Sequence, residues 1–528
     1  MKNRFSGLKS SDKLGILIFI ICLAIVIFTL FSMNQYVWDD EAFTLNLVSL
    51  SYDQVINGTA RDVHPPLHYL LLKTVFTVFD SLNLGFNHII IAKLVSFAPI
   101  ILLLIFSLFV IRKKFGWLVA GLFALCIIAM PKMLLYGVQI RMYSWGLLFL
   151  LLIFYFAYKT TEPDFSIKTW GLLIIFSLLG AYTHYFVLIN TVVIYLGLLF
   201  YFILKKRSEI KKLFLAILIS IIGYLPWLFV FIDQISAHHG SHSSPLLLNE
   251  SFNFLWFIFS PDIYRTFGNF SIIGLLLVIS YIILISIFFI DFKKYKDKFL
   301  YFGAFVAIGT VILTFLVSKS NFQSRYIFTA LGPLWLSFSL LLSKNFSNKK
   351  IFTPIFIILI IASSMTLNGF FTQQNEHDRI FNEVNTILTK ISPNDLIVFT
   401  NIDVYVSFNK PYLKDYNIIY YNIDHNFYEK KLENRGNYTY SGFTSTKLDK
   451  LNVTYREHQL NGLYHIEKAL HENRTVWVFT RNTKQEVITD MIEKLQGNYV
   501  LTEKLVINEK FPDEALPYPK RIFIISKQ

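Results

Sequence analysis

The chain carries Trp38-Asp39-Asp40-Glu41 and Asp62-Val63-His64-Pro65-Pro66 shortly after its first apolar run, residues 14–33. An apolar run of this length matches the ~20 residues that a helix needs to cross a bilayer. Three consecutive carboxylates just beyond it would lie at a membrane surface, where charge is costly and usually functional. The pattern predicts a polytopic α-helical membrane protein whose first loop takes part in chemistry or ion handling.

Apolar runs of similar length recur along the chain and stop near residue 370. The chain has 528 residues, of which 54% are hydrophobic, and its mean hydropathy is +0.50. The first run has no small-residue cleavage pattern, so we interpret it as a retained anchor. About eleven transmembrane spans are predicted, at residues 14–33, 88–111, 116–135, 143–158, 169–187, 188–204, 213–232, 270–290, 299–317, 326–343 and 351–371.

The positive charge of the chain reports orientation rather than nucleic acid binding. The net charge is +14, but acidic and basic residues balance after Gln373, so the excess belongs to the apolar part. Alternate loops there are basic, among them Arg112-Lys113-Lys114 and Lys344 to Lys350. Basic loops face the cytoplasm in most membrane proteins. We therefore expect a cytoplasmic N-terminus, an extracytoplasmic C-terminus and no nucleic acid partner.

One apolar stretch, residues 67–79, does not fit this alternation. It is too short to cross a bilayer and contains Lys73. If it spanned, every later basic loop would lie outside. We predict a juxtamembrane helix along the outer membrane surface, begun by Pro65-Pro66, since proline is tolerated in a first helical turn.

These features predict two domains. Residues 1–371 form a transmembrane domain whose first outer loop is 34–87. Residues 372–528 form an extracytoplasmic α/β domain, because short apolar runs at 395–399, 475–479 and 521–525 alternate with helical patterns.

Ionisable residues concentrate at the predicted outer ends of the spans. Arginine suits phosphate oxygens through its fork of donors, and a nearby carboxylate could deprotonate an attacking hydroxyl. Such a set predicts group transfer from a lipid-linked phosphate to a hydroxyl or amine. For Lys132 and Arg265 alone, interfacial snorkelling is the simpler interpretation. The residues are Asp39, Asp40, Glu41, Asp62, His64, Lys132, Arg141, His184, Asp233, Asp262, Arg265 and Arg325.

Four motifs resemble one family, the GT-C glycosyltransferases of the protein O-mannosyltransferase and aminoarabinose-transferase superfamily. Trp38-Asp39-Asp40-Glu41 resembles its first-loop Asp-Glu motif, and Asp62-Val63-His64-Pro65-Pro66-Leu67 its Asp-x-His-Pro-Pro motif. Gln139-Ile140-Arg141-Met142-Tyr143 is similar to its Arg-x-Tyr element, and Ser324-Arg325-Tyr326 to its Arg-Tyr element. The motifs appear in family order over about 370 residues. The resemblance implies a GT-C-like fold and a polyprenyl-phosphate sugar donor.

The family uses an aspartate of the first loop as its catalytic base. Carried over by motif, Asp40 would be the base and Glu41 its neighbour. Asp39 makes the register ambiguous and is the alternative base. An acidic loop solvated at the surface is the competing interpretation.

The resemblance also implies a set of substrate-binding residues. Arg141 and Arg325 are candidates for holding the lipid phosphate, with an ion pair to the acidic cluster as the alternative. His64 could instead be a helix-start residue bonded to backbone, and Tyr143 and Tyr326 could be interfacial anchors. The implied set is Asp62, His64, Arg141, Tyr143, Arg325 and Tyr326.

His238-His239-Gly240-Ser241-His242, with Asp233 and Asp262 in the same predicted loop, could bind zinc. No fixed helical spacing supports that, so we favour a loop that covers the substrate. The sequence indicates no cofactor, although a divalent metal stays open.

The prediction is an inverting integral-membrane glycosyltransferase of the cell envelope, with the bilayer, a polyprenyl-phosphate sugar and an extracytoplasmic acceptor as partners. Two other classes remain. A lipid or polysaccharide transporter would need polar groups through the membrane centre, and a surface receptor would use its spans only as anchors.

Overall fold

The computed structural model describes most of the apolar half and parts of the remainder. The side chains of Asp39 and Arg325 lie outside the description, although their backbones are within helices. The described residues are 9–130, 132–163, 166–238, 272–290, 298–317, 325–399, 417–420, 464–481, 493, 495, 498–507 and 520–527.

The chain divides into two compact units, and each contains separate stretches of sequence. The helical unit comprises Met1–Met33, His64–His68 and Ile90–Gln374. The sheet unit comprises Asn34–Val63, Tyr69–Ile89 and Asn375–Gln528. Residues of the first loop therefore belong to the same unit as the C-terminal strands. The predicted domains 1–371 and 372–528 remain predictions about membrane location.

A helix occupies each of the eleven predicted spans. The second continues beyond Phe106 through a π-helical turn, Ser107–Ile111, and a short helix, Arg112–Phe115. The helices in chain order, with the shorter ones between them, are α1 (Ser10–Phe31), α2 (Asp39–Val48), α3 (Tyr52–Ala60), α4 (Leu67–Ser81), α5 (His88–Phe106), α6 (Trp117–Ala129), α7 (Met133–Val138), α8 (Tyr143–Thr160), α9 (Ile167–Ala181), α10 (Tyr185–Lys205), α11 (Ile210–His238), α12 (Ile272–Ile290), α13 (Lys298–Val317), α14 (Arg325–Phe328), α15 (Leu331–Lys344) and α16 (Lys349–Leu388).

In the described part of the chain, six helices are long and apolar enough to cross a membrane. Four shorter apolar helices accompany them, at Trp117–Ala129, Ile167–Ala181, Leu275–Ile287 and Phe299–Thr314. The protein is thus a multi-pass membrane protein, while the number of crossings and the side of each terminus stay predictions. The six are Ser10–Phe31, His88–Phe115, Tyr143–Thr160, Tyr185–Lys205, Arg207–Ser236 and Lys349–Leu388.

Helices α1 and α6 approach each other at backbone distance. A Cβ atom on Gly15 would clash with the carbonyl oxygen of Trp117, and one on Gly121 would clash with the carbonyl oxygen of Gly15. Small residues at a helix–helix contact permit this approach in membranes, where van der Waals packing drives association. The first apolar helix is therefore an integral part of the helical unit, as its interpretation as a retained anchor requires.

The predicted span 116–135 is interrupted. Helix α6 ends at Ala129, and Met130 is extended with φ −57° and ψ 141°. The residue before a proline avoids the helical region, and Pro131 follows Met130 in the sequence. Lys132 then has φ 54° and ψ 18°, in the left-handed region, before the short α7. A broken backbone segment thus separates α6 from α8.

The sheet unit contains a mixed five-stranded sheet in the order β2-β1-β3-β5-β4. Strand β1 pairs in parallel with β2 and β3, whereas β5 is antiparallel to β3 and β4. A helix at residues 464–471 contributes Ile466 and Ala469 to the core of the sheet. The predicted strands coincide with three of the five, which are β1 (Leu396–Phe399), β2 (Asn417–Tyr420), β3 (Val476–Arg481), β4 (Tyr499–Ile507) and β5 (Lys520–Lys527).

Candidate functional site

The helical unit buries a polar segment between α6 and α8. Lys132, Gln139, Arg141 and Tyr143 are each exposed by no more than 9%. All described residues from 132 to 143 are buried. Irregular backbone in a membrane protein occurs where it is buried in protein or lines a cavity. The segment therefore has the setting of a binding site.

The segment brings together three residues of the predicted site set. The ring centroid of Tyr143 lies 5.8 Å from that of His184, and the His184 centroid lies 5.9 Å from that of His64. Tyr136 contributes a further ring, 5.3 Å from Tyr143. Arg141 lies two residues before Tyr143 in this buried segment. His64, which is distant in sequence from Arg141 and Tyr143, thus lies in the same region of the helical unit.

His184 has a defined local role at the start of α10. Its Nδ1 accepts a hydrogen bond from the backbone N–H of Phe186 at 3.2 Å, which caps the helix. The Phe186 ring in turn stacks on Tyr326, with centroids 4.6 Å apart and an interplanar angle of 16°. Tyr326 therefore joins the same aromatic cluster. The predicted role of Arg325 falls on a side chain outside the described atoms.

His68 is a site candidate that the sequence analysis missed. It is 1% exposed, in the first turn of α4. Burial, together with the nearby positive charge of Arg141, lowers the pKa of His68 to about 3. A neutral imidazole therefore lies near the Arg141 guanidinium. His68 directly follows the motif Asp62 to Leu67, and that adjacency was the signal that could have identified it.

Three cationic side chains are buried in the described part of the helical unit: Lys93, Lys132 and Arg141, at 3%, 7% and 4% exposure. The expected snorkelling of Lys132 is therefore wrong, because snorkelling would leave its ammonium group exposed. Lys93 lies one turn before Ser96, whose carbonyl oxygen accepts a hydrogen bond from the Ser144 hydroxyl of α8.

The acidic motif lies in the sheet unit, at the start of α2. The Glu41 carboxylate is 3% exposed and accepts a hydrogen bond from the Trp38 backbone N–H at 3.1 Å. This is the contact that a glutamate makes in a capping box. Asp40 is half-buried, and its backbone carbonyl accepts a hydrogen bond from the Thr44 hydroxyl at 2.9 Å. Glu41 thus has a clear part in building the helix start that carries Asp40.

Asp62 contacts the first turn of α4, the helix that follows its motif. Its Oδ2 accepts a hydrogen bond from the hydroxyl of Tyr69 at 3.2 Å, and the Tyr69 ring is fully buried. Both residues belong to the sheet unit. The contact ties the loop before Pro65-Pro66 to α4 and gives Asp62 a positioning role.

The predicted histidine-rich loop lies largely outside the described residues, as do Asp262 and Arg265. Within the residues that the structure describes, no group of three or more histidine, cysteine, aspartate or glutamate side chains is arranged to hold a metal ion. The zinc and loop-covering interpretations of 238–242 both stay predictions.

The helix order, the first loop and the C-terminal sheet define a polytopic membrane protein with the GT-C fold, as likeness to solved structures shows. One of these is the apo crystal structure of ArnT from Cupriavidus metallidurans, with a TM-score of 0.55 and 10% sequence identity. Another is the same ArnT bound to undecaprenyl phosphate, with a TM-score of 0.57 and 10% identity. Each match covers 96% of this chain and 97% of the ArnT chain.

ArnT is an aminoarabinose transferase and a GT-C glycosyltransferase. No family model matches this chain, and no curated protein matches its sequence. At 10% identity the structural likeness establishes the shared fold. The expected GT-C-like architecture is thereby confirmed.

Proposed function

We propose that this protein is an integral-membrane glycosyltransferase that moves a sugar from a polyprenyl-phosphate donor to an extracytoplasmic acceptor. The observation that carries the proposal is the grouping of half-buried His64 with buried Arg141 and Tyr143 within the GT-C fold. ArnT, which has this fold, was crystallised with undecaprenyl phosphate bound. A lipid phosphate is the ligand class that both the fold and the buried positive charge favour.

In this proposal the helical unit holds the donor. Arg141 binds the phosphate oxygens through its guanidinium fork. The rings of Tyr143 and His64, which both contact the His184 ring, belong to the same region. His68 remains neutral, so it can accept or donate a hydrogen bond without adding charge. The phosphate gains negative charge as the sugar departs, and a buried arginine stabilises that charge more strongly than water would.

Asp40 is the proposed base, as its first-loop motif implies. Its carboxylate removes the proton from the acceptor hydroxyl or amine as that atom attacks the anomeric carbon of the sugar. A bond forms between the acceptor and the anomeric carbon, while the bond from that carbon to the phosphate oxygen breaks. The phosphate leaves with the electron pair, and direct displacement inverts the anomeric configuration. Glu41 builds the start of α2 that positions Asp40.

The proposal also includes the orientation of the protein in the membrane. The basic loops that alternate along the apolar half favour a cytoplasmic N-terminus and an extracytoplasmic C-terminal sheet. The acceptor would then be a lipid, polymer or protein of the cell envelope.

The test compares Asp40→Asn with Asp39→Asn in full-length protein reconstituted into proteoliposomes. The readout is the release of undecaprenyl phosphate from a panel of undecaprenyl-phosphate-linked sugars, supplied with envelope acceptors. We expect Asp40→Asn to lower the rate by about 10²–10⁴-fold, the usual contribution of a general base. Asp39→Asn should stay near the wild-type rate. The reverse pattern would move the base to Asp39, and wild-type rates in both variants would refute a base in this motif.

A further inference from the structure

We propose that Lys132 is a second anion-binding residue of the donor site and that it acts with Arg141 on the lipid phosphate. This inference rests on the proposed glycosyltransferase function. The sequence analysis gave Lys132 an interfacial role, and none of the four family-like motifs includes it.

The backbone at Lys132 is unfavourable for a lysine. Its φ of 54° and ψ of 18° lie in the left-handed region, which glycine and asparagine adopt more readily. The turn alone would therefore favour another residue type. Strained backbone of this kind is found most often at ligand-binding and catalytic sites. The side chain, rather than the turn, explains the presence of lysine at this position.

The burial of Lys132 also supports a ligand-binding role. An ionisable side chain buried within a membrane protein is costly, and such residues usually mark a substrate or ion site. Lys132 is 7% exposed and lies in the broken segment between the apolar helices α6 and α8. The same segment carries Arg141, which is 4% exposed. Two cations are therefore buried close together along the chain.

The positions of Lys132 and Arg141 suit a shared ligand. They flank α7, a helix of six residues. At 1.5 Å per residue this helix is about 9 Å long. Lysine and arginine both have long side chains, so the two charged groups can approach one phosphate from opposite ends of α7. Arginine offers a planar fork, whereas the lysine ammonium acts as a compact charge.

Two further side chains of the segment point to a sugar phosphate. The hydroxyl of Tyr143 and the Oε1 atom of Gln139 are buried, and neither has a hydrogen-bond partner among the described residues. Buried polar atoms in native proteins are nearly always satisfied, by protein, water or ligand. A tyrosine hydroxyl can donate to a phosphate oxygen, and a glutamine carbonyl can accept from a sugar hydroxyl. The segment therefore offers contacts for both parts of the donor.

The experiment measures binding of undecaprenyl phosphate to purified full-length protein in nanodiscs. It compares wild type with Lys132→Asn, Lys132→Arg and the control Lys159→Asn. Lys159 lies at the far end of α8, within 3.7 Å of Glu162. Asparagine tolerates the left-handed conformation, so Lys132→Asn removes the charge while keeping the turn. Thermal unfolding of each variant is followed in parallel.

We expect Lys132→Asn to raise the Kd for undecaprenyl phosphate by about 10-fold or more. Lys132→Arg should keep most of the affinity, and Lys159→Asn should bind like wild type. A Kd for Lys132→Asn equal to that of wild type would refute the assignment, whether or not its Tm falls. Absence of undecaprenyl phosphate binding by wild type would instead refute the proposed function, and this inference with it.

Discussion

Asp395 in the sheet unit and the segment around Tyr143 in the helical unit differ in how far the described residues satisfy their buried polar atoms. In the sheet unit, the carboxylate of Asp395 accepts hydrogen bonds from the Ser392 backbone N–H at 2.8 Å and from Trp477 Nε1 at 3.1 Å. In the helical unit, Gln139 and Tyr143 have buried polar atoms for which the described residues supply no partner. Buried polar groups with hydrogen-bond partners in the protein stabilise the fold. Buried polar groups without such partners are suited to bind a ligand. The difference favours a structural role for Asp395 and agrees with the ligand-binding role proposed for the segment around Tyr143.

The largest expected effect tests the helical side of this comparison. Replacing Arg141 by glutamine should lower the rate of undecaprenyl phosphate release by about 100-fold or more, because the departing phosphate loses a buried guanidinium. The measurement is initial rate in proteoliposomes at saturating acceptor.

The matched control is Arg379→Gln on α16. That arginine is exposed and makes ion pairs with Glu376, at 2.7 Å, and Glu383. Exposed ion pairs contribute little, about 0 to 1 kcal/mol, so this variant should keep its activity. Equal activities in the Arg141 and Arg379 variants would remove the functional distinction between the two units.

The second-largest expected effect tests the structural role of Asp395 in the sheet unit. Asp395→Ala leaves the Trp477 indole N–H buried without its acceptor and removes the contact to Ser392. We expect a loss of about 2 to 3 kcal/mol in the free energy of unfolding of the sheet, followed by tryptophan fluorescence. Donor binding measured below the transition should not change.

The control for that variant is Asp378→Ala, since Asp378 is exposed on α16. Its effect should stay within about 0.5 kcal/mol. If Asp395→Ala lowered donor affinity at a temperature where the sheet is folded, the carboxylate would belong to the functional site as well.

The smallest expected effect concerns pH and His68. Its pKa in the folded protein is about 3, below its ordinary value of 6.5, so the unfolded chain binds the proton more tightly. Stability should therefore be fully present above pH ~6.5 and decrease as the pH falls toward 3. Between about pH 7.5 and pH 5 the loss due to His68 should be roughly 2 kcal/mol.

The comparison for this prediction is the same pH series on His68→Asn, which cannot take up the proton. The difference between the two unfolding curves isolates His68 from the other titrating groups. Parallel curves would show that His68 is not buried as a neutral ring.

The helices of this fold follow from run length and charge, because both are local properties of the chain. The helix break at Met130 could also have been predicted, because a proline follows it. The continuous apolar pattern of 116–135 favoured an uninterrupted span instead. Burial of Lys132 could not be predicted, because it depends on packing between helices that are distant in sequence.

The candidate site was predicted in part. The motifs identified His64, Tyr143 and Tyr326, which belong to one aromatic cluster, and Arg141, which lies two residues before Tyr143. Motif spacing is visible without a structure. His68 was missed because no motif includes it. The capping contact of Glu41 was missed because a carboxylate at a helix start and a carboxylate in a catalytic motif have the same sequence signature.

The contact between Gly15 and Gly121 has a consequence for biosynthesis. Chains are synthesised from the N-terminus, so α1 enters the membrane while its partner α6 is still roughly a hundred residues from completion. Helix α1 can pack through Gly15 only after α6 has been synthesised. A bulky residue at Gly15 or Gly121 would therefore impair assembly in the membrane, because α1 could not pack against α6.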